Sequence, residues 1–182
     1  MKDITIQNMV ASVDLFSSKI PLTKFVKEIE NVTYNPKKFP GACLRLEKPR
    51  TSILVFDSGK IVVSGAKNEK DIKKSIKELK KRLRKLGITF IKEPEIKIQN
   101  VVASGKIGFK INLDDLAFQF KNSEYNPEQF PGLVYKPQRS NVSFLLFNTG
   151  KIVCTGAKNE KEIIEEREEL IRILKEQGYD KR

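Results

Sequence analysis

An aromatic pair, written twice, is the side-chain set here with most to offer a partner. Phe39 and Phe56 flank one candidate β-hairpin, and Phe130 and Phe147 flank a second. A phenyl ring offers a flat apolar face. Covalent chemistry has little to work with. The absence of histidine removes the usual general base, the Ser-His and Cys-His couples and most zinc sites. Gly59-Lys60 and Gly65-Ala66-Lys67 look like fragments of a phosphate loop, but the GxxxxGK[ST] spacing is missing. Cys43 and Cys154 fall at different phases of the repeat described next and read as buried free thiols of a reducing compartment, not a disulfide. The chain reads as a binding protein and not an enzyme, with no metal and no cofactor.

The pairs recur because the whole chain does. GKIVVSGAKNEK, from Gly59 to Lys70, returns as GKIVCTGAKNEK, from Gly150 to Lys161, an offset of 91. YNPKKFPG, from Tyr34, returns at the same offset as YNPEQFPG, from Tyr125. IQNMVAS, from Ile6, returns as IQNVVAS, from Ile98, at an offset of 92. Three blocks in one order make two tandem units, 1–92 and 93–182, with a boundary near Glu93-Pro94 and a pseudo-two-fold axis as the expected geometry.

Charge points to the class of partner. A net charge of +12 suits a polyanion, and no apolar run approaches a membrane span. Residues 1–91 hold 20 basic and 9 acidic side chains, net +11, whereas residues 92–182 hold 15 and 14, net +1. Two candidate helices carry much of the difference: Asn68 to Gly87 has 9 basic and 3 acidic residues, and Asn159 to Gly178 has 4 and 7. These charges read as solvated helix faces or as surfaces that recruit different partners to the two halves.

Period decides the elements. Ile72, Ile76, Leu79, Leu83 and Leu86, and likewise Ile163, Ile164, Leu170, Ile171 and Leu174, recur at helical spacing, with Gly87 and Gly178 as stops. Shorter amphipathic stretches run from Leu22 to Ile29 and from Leu113 to Phe120. Leu44 to Leu46, Ser52 to Phe56 and Lys60 to Ser64 read as strands joined by hairpin turns. Pairing Phe56 with Lys60 puts Ser52, Leu54, Phe56, Val62 and Ser64 on one face and Ile53, Val55, Ile61 and Val63 on the other. The second half repeats this, with Ser143, Leu145, Phe147, Val153 and Thr155 against Phe144, Leu146, Ile152 and Cys154. Helices suffice to cover one apolar face. The other reads as a binding surface, or as a face buried in a sandwich or dimer. Hairpins centred near Glu47-Lys48 and Gln138-Arg139 then oppose Phe39 to Phe56 and Phe130 to Phe147 at their open ends.

FPGACLRLEKPRTSILVFDSGKIVVSGAK and FPGLVYKPQRSNVSFLLFNTGKIVCTGAK, together with the IQN strands, resemble the core of the TATA-box-binding protein family over essentially the whole chain. Without a segment before that core, the chain is most similar to the archaeal form. The resemblance implies an α+β fold: a pseudo-two-fold saddle, one curved antiparallel sheet with its concave face on DNA and its helices on the convex face. It implies a general transcription initiation factor inside an archaeal cell, which binds the minor groove of A·T-rich promoter DNA and kinks it, as proteins of this family do among minor-groove binders. Its implied partners are promoter DNA, transcription factor B and, indirectly, RNA polymerase, with a homodimer as a possible free state.

Residue by residue, the resemblance makes Phe39, Phe56, Phe130 and Phe147 the wedges and sets Asn8 and Asn100 near the dyad. Val10, Val102, Leu54, Leu145, Val62, Val153, Ser64 and Thr155 would line the groove, and Arg45, Arg50, Lys60, Lys136 and Lys151 would meet phosphates. Glu124, Glu128 and Gln129 would face factor B. One position departs from the pattern: Pro49-Arg50 aligns with Ser140-Asn141, with Arg139 one residue earlier as a candidate replacement. Two rivals stand beside this reading. A DNA glycosylase with a similar domain would need a helical catalytic domain, for which the two repeats leave no room. A protein-interaction module on the same scaffold has no use for four phenylalanines and two asparagines at these places.

Overall fold

The computed structural model describes residues 3–182. The duplicated alternation sets the strands. β1 (Ile4–Asp14) is followed by α1 (Leu22–Glu28), β2 (Val32–Thr33), β3 (Ala42–Glu47), β4 (Arg50–Val55), β5 (Lys60–Ala66) and α2 (Glu69–Arg84). The second copy gives β6 (Glu95–Lys106), α3 (Leu113–Gln119), β7 (Ser123–Glu124), β8 (Leu133–Tyr135), β9 (Ser143–Leu146), β10 (Lys151–Ala157) and α4 (Glu160–Glu176). A short 3₁₀ turn, Tyr179–Lys181, closes the chain.

The chain divides into two compact units. The first is Asn8–Gln99; the second is Asn100–Arg182 with the N-terminal segment through Gln7. Each unit therefore borrows a strand end from the other sequence repeat. In the first unit the strands run in the order β2-β3-β4-β5-β1, and in the second β6-β10-β9-β8-β7, antiparallel wherever adjacent.

The expected faces form. Ser52 pairs with Ser64 and Leu54 with Val62, all half-buried; Ile53 pairs with Val63 and Val55 with Ile61, all buried. The second unit matches, with Ser143 on Thr155 and Leu145 on Val153 half-buried, and Phe144 on Cys154 and Leu146 on Ile152 buried. The long helices supply the cover, α2 on β5 and α4 on β10. Their first turns are fixed alike: the side-chain oxygens of Asn68 and Asn159 accept the N–H of Asp71 and Glu162, each at 2.8 Å. Gly87 and Gly178 end the helical segments at φ 81° and 79°, the left-handed conformation that glycine adopts without strain.

Three expectations need correction. The hairpin of β3 and β4 pairs Glu47 with Arg50, and that of β8 and β9 pairs Leu133 with Leu146, so each centre lies one residue later than the sequence suggests. The turn in the first is Lys48-Pro49, because Arg50 still pairs in the ladder. The α4 stripe is also thinner than its spacing implies: Ile163, Leu170 and Leu174 are buried, but Ile164 and Ile171 are only half-buried. Arg167 stands where α2 has Ile76 and turns its guanidinium onto the carbonyl of Lys106 at 2.9 Å and the carboxylate of Asp3 at 3.4 Å. Cys43 and Cys154 are free thiols, with Cys154 buried and Cys43 only half-buried, since its strand partner Leu54 lies on the open face.

Candidate nucleic-acid interface

The face left open in each unit ends in a pair of rings. Phe39 and Phe56 meet edge to face, their centroids 5.8 Å apart and planes at 65°; Phe130 and Phe147 repeat this at 6.1 Å and 70°. The later centre moves each pairing by two residues, which keeps the same face and does not separate the rings. The ladder continued one step sets Gly41 opposite Phe56 and Gly132 opposite Phe147, and each glycine becomes the floor on which the two rings meet. A Cβ at Gly41 would lie 2.9 Å from the Phe39 ring and 3.1 Å from Phe56; at Gly132 the distances are 2.8 and 3.1 Å. Sequence reasoning passed over both glycines as turn residues, although FPG in both copies was the signal.

The loops that carry the outer rings are built by asparagine. The carbonyl of Asn35 accepts the N–H groups of Lys38 and Phe39, each at 3.0 Å, and that of Asn126 accepts those of Gln129 and Phe130 at 3.1 and 3.0 Å. Pro36 and Pro127 fix the next backbone angle in each turn. Phe39 and Phe130 are each 45 % exposed. Phe56 and Phe147 are anchored instead in the ladder, their N–H groups on the carbonyls of Lys60 and Lys151 at 3.1 and 3.0 Å.

Behind the rings lie the apolar and polar residues singled out by sequence. In the first unit Asn8, Val10, Leu54, Val62 and Ser64 are all half-buried; in the second Asn100, Val102, Leu145, Val153 and Thr155 are. The amide oxygen of Asn8 accepts the N–H of Gly65 at 2.7 Å, and that of Asn100 the N–H of Gly156 at 2.8 Å. Gln7 donates to the hydroxyl of Ser104 and Gln99 to that of Ser12, each at 2.8 Å, two further copies of one contact that sequence reasoning did not find.

Cations rim these faces unequally. Arg45 is paired across the ladder with Ser52, and Arg50 lies two residues from Ser52 on the same side, so both share the open face of the first unit. They line a hollow of about 620 Å³ with Asn31, Glu47 and Ser64. Lys60, Lys136 and Lys151 are exposed. Arg139 is placed elsewhere. It lines a hollow of about 460 Å³ with Tyr135, Glu166, Glu169 and Leu170, against α4. That hollow lies in a negative field: burial, then Glu166 and Glu169, push the Tyr135 phenol up, and burial, then Glu166 and Glu162, push the Cys154 thiol up to about 12. Glu124, Glu128 and Gln129 are exposed at the second ring-bearing loop and its strand. Among the described residues no group of three His, Cys, Asp or Glu could hold a metal ion, and no helix is long and apolar enough to cross a membrane.

A family model described as transcription factor TFIID (or TATA-binding protein, TBP) matches residues 3–86 and 95–177, the two copies in turn. The chain belongs to the TATA-binding protein family. It is 45 % identical over 175 residues to the TATA-box-binding protein of Thermococcus kodakarensis, covering 96 % of this chain and 92 % of that one. Identity to the Pyrococcus furiosus TATA-box-binding protein is 43 % over 175 residues, covering 96 % and 91 %. The solved structure of Methanococcus jannaschii TBP superposes with a TM-score of 0.89 at 40 % identity, covering 96 % of this chain and 99 % of that one. The α+β architecture with two tandem TATA-binding protein repeats follows from the family match and this superposition together.

Proposed function

We propose that this chain is a general transcription initiation factor that binds the minor groove of A·T-rich, TATA-box promoter DNA, kinks it by inserting phenylalanines and nucleates the preinitiation complex. The observation that carries this reading is the ring pair at the end of an open, half-buried face, present in each of the two units. Each repeat, 1–92 and 93–182, takes one half of the site. Phe39 with Phe56, and Phe130 with Phe147, enter base steps. The valines, leucines, Ser64 and Thr155 lie along the groove walls, and Arg45, Arg50, Lys60, Lys136 and Lys151 meet phosphates. Unstacking a step costs about a few kcal/mol; apolar burial of about 25 cal/mol per Å² and counterion release offset it.

No group in the interface is asked to do catalysis. Factor B docks on the acidic second loop at Glu124, Glu128 and Gln129, and polymerase follows through it, in an archaeal cell. Without DNA, two copies cover their open faces against each other as a homodimer. The decisive experiment is a gel shift at fixed salt on duplexes carrying A·T, G·C or I·C pairs at the centre. A guanine amino group in the minor groove weakens binding, whereas I·C, which lacks it, is tolerated. Equal binding to the A·T and G·C duplexes sinks the proposal.

A further inference from the structure

Each unit carries one break in strand register, and it falls beside the asparagine in both. In the first unit Met9 pairs with Ala66 and Ala11 with Val63, so Val10 alone faces both Ser64 and Gly65. In the second, Val101 pairs with Ala157 and Ala103 with Cys154, so Val102 alone faces Thr155 and Gly156. Such a bulge takes an extra residue out of the ladder and leaves its N–H without a strand partner. Gly65 and Gly156 hold this place at φ 87° and 90°. At Gly156 a Cβ would stand 2.3 Å from the carbonyl oxygen of Asn141, so the position has no room for a side chain.

Both released N–H groups find the same partner, the side-chain oxygen of Asn8 at 2.7 Å and of Asn100 at 2.8 Å. A backbone N–H accepts nothing, so of the two ends of a carboxamide only the oxygen satisfies it. We infer that the bulge N–H groups of Gly65 and Gly156 are positioning groups, which lock the two amides with oxygen inward and NH₂ outward and so turn each asparagine into a donor-only reader. This rests on the minor-groove reading above. An A·T pair shows the outward NH₂ only acceptors; a G·C pair adds an amino donor. The amide cannot flip to accept from that donor, because the flip would set NH₂ against the glycine N–H. Discrimination against G·C is thus written in the backbone, in the glycine of SGAK and TGAK, as much as in the asparagine.

Aspartate tests the lock, because it keeps an oxygen for the glycine N–H and replaces the outward NH₂ by a second oxygen. In the pair of substitutions Asn8→Asp with Asn100→Asp, overall affinity falls through charge repulsion. The readout is therefore the ratio of binding to duplexes with A·T or G·C at the central steps, with Asn8→Ala and Asn100→Ala as reference. The aspartate protein is expected to lose about tenfold or more of the wild-type preference for A·T, and to go beyond the alanine protein toward G·C. Amide exchange at Gly65 and Gly156 should stay slow in the wild type and the aspartate protein and quicken in the alanine protein. An aspartate ratio no different from that of alanine, or glycine protons that exchange equally fast in all three, overturns the lock. Failure of the wild type to bind any duplex strikes the proposed function instead; wild-type binding with an unmoved aspartate ratio strikes only this inference.

Discussion

At the tip of its long hairpin the first unit is zipped shut, and at the same place the second is open. β3 and β4 pair as far as Glu47 and Arg50, and the tip is tied to α2 by buried hydroxyls: Thr51 and Ser75 lie 2.8 Å apart, and Ser75 donates to the carbonyl of Asp71 at 2.8 Å. In the second unit pairing stops at Tyr135 and Phe144, Val142 and Glu166 replace the two hydroxyls, and a hollow with acidic walls remains. At the other end of the same hairpins the units are near copies, with two rings on a glycine, and the amide on a bulge beside β5 and β10 is repeated as well. The units are thus alike in these ring and amide contacts and unlike where hairpin meets helix.

The largest effect should come from the rings. Phe56→Ala and Phe147→Ala are expected each to weaken DNA binding by roughly tenfold to a hundredfold, the worth of about one buried aromatic side chain, and together to abolish the bend. Normal bending by the double variant, measured by energy transfer between the duplex ends, overturns the wedge role of the rings at both ends; unequal losses in the two single variants break the equivalence of the ends. Next come the floors. Gly41→Ala and Gly132→Ala place a methyl within about 3 Å of both rings. Each should cost about tenfold in affinity with little change in thermal midpoint, because the rings must part while the core is untouched. Unequal losses at the two glycines would show that the ring pairs are not interchangeable.

The ring-bearing loops, alike in their rings but unlike in charge, should separate the units in a ternary assay. Lys37-Lys38 of the first ring-bearing loop stands where the second has Glu128-Gln129. Glu128→Lys is expected to weaken the complex with factor B by about fivefold to tenfold at moderate salt and leave the binary DNA complex unchanged, while Lys37→Glu leaves factor B indifferent. A wild-type ternary complex with Glu128→Lys removes charge as the source of polarity. The smallest effect is chemical. Burial and nearby carboxylates raise the Cys154 thiol to about 12, so it stays protonated at every lower pH, and the thiolate is the nucleophile. At about pH 8 iodoacetamide should modify the half-buried Cys43 and spare Cys154; labelling of both at one rate, followed by mass spectrometry, would erase that difference between the units.

Alternation and duplication made the sheet faces legible. Leu54 on Val62 and Leu145 on Val153 follow from period two once the Asp57-Ser58-Gly59 turn is placed. The ring pairs were legible too, but through a hairpin centred one residue early: opposing Phe39 to Phe56 puts the centre at Glu47-Lys48, whereas the ladder pairs Glu47 with Arg50 and sets Gly41, not Phe39, opposite Phe56. What remained hidden depends on backbone geometry that residue types only hint at. Gly65 looked like a scrap of a phosphate loop; a glycine inside a strand was the available hint of a bulge. Arg139 looked like a stand-in for the arginine missing at Asn141, but the opened tip places it against α4, a consequence of where pairing stops.

The glycine floors under the rings have a kinetic meaning. A lone phenylalanine at a loop end samples several rotamers and surrenders them on contact, at about 0.5–1.5 kcal/mol for an immobilised side chain. Here each ring already rests edge-on against its neighbour, with no Cβ beneath to push it away. The entropy of ordering the four rings is lost during folding. Encounter with a partner then requires no search among ring conformers, and altered rings register chiefly in how long a complex lasts, not in how fast it forms.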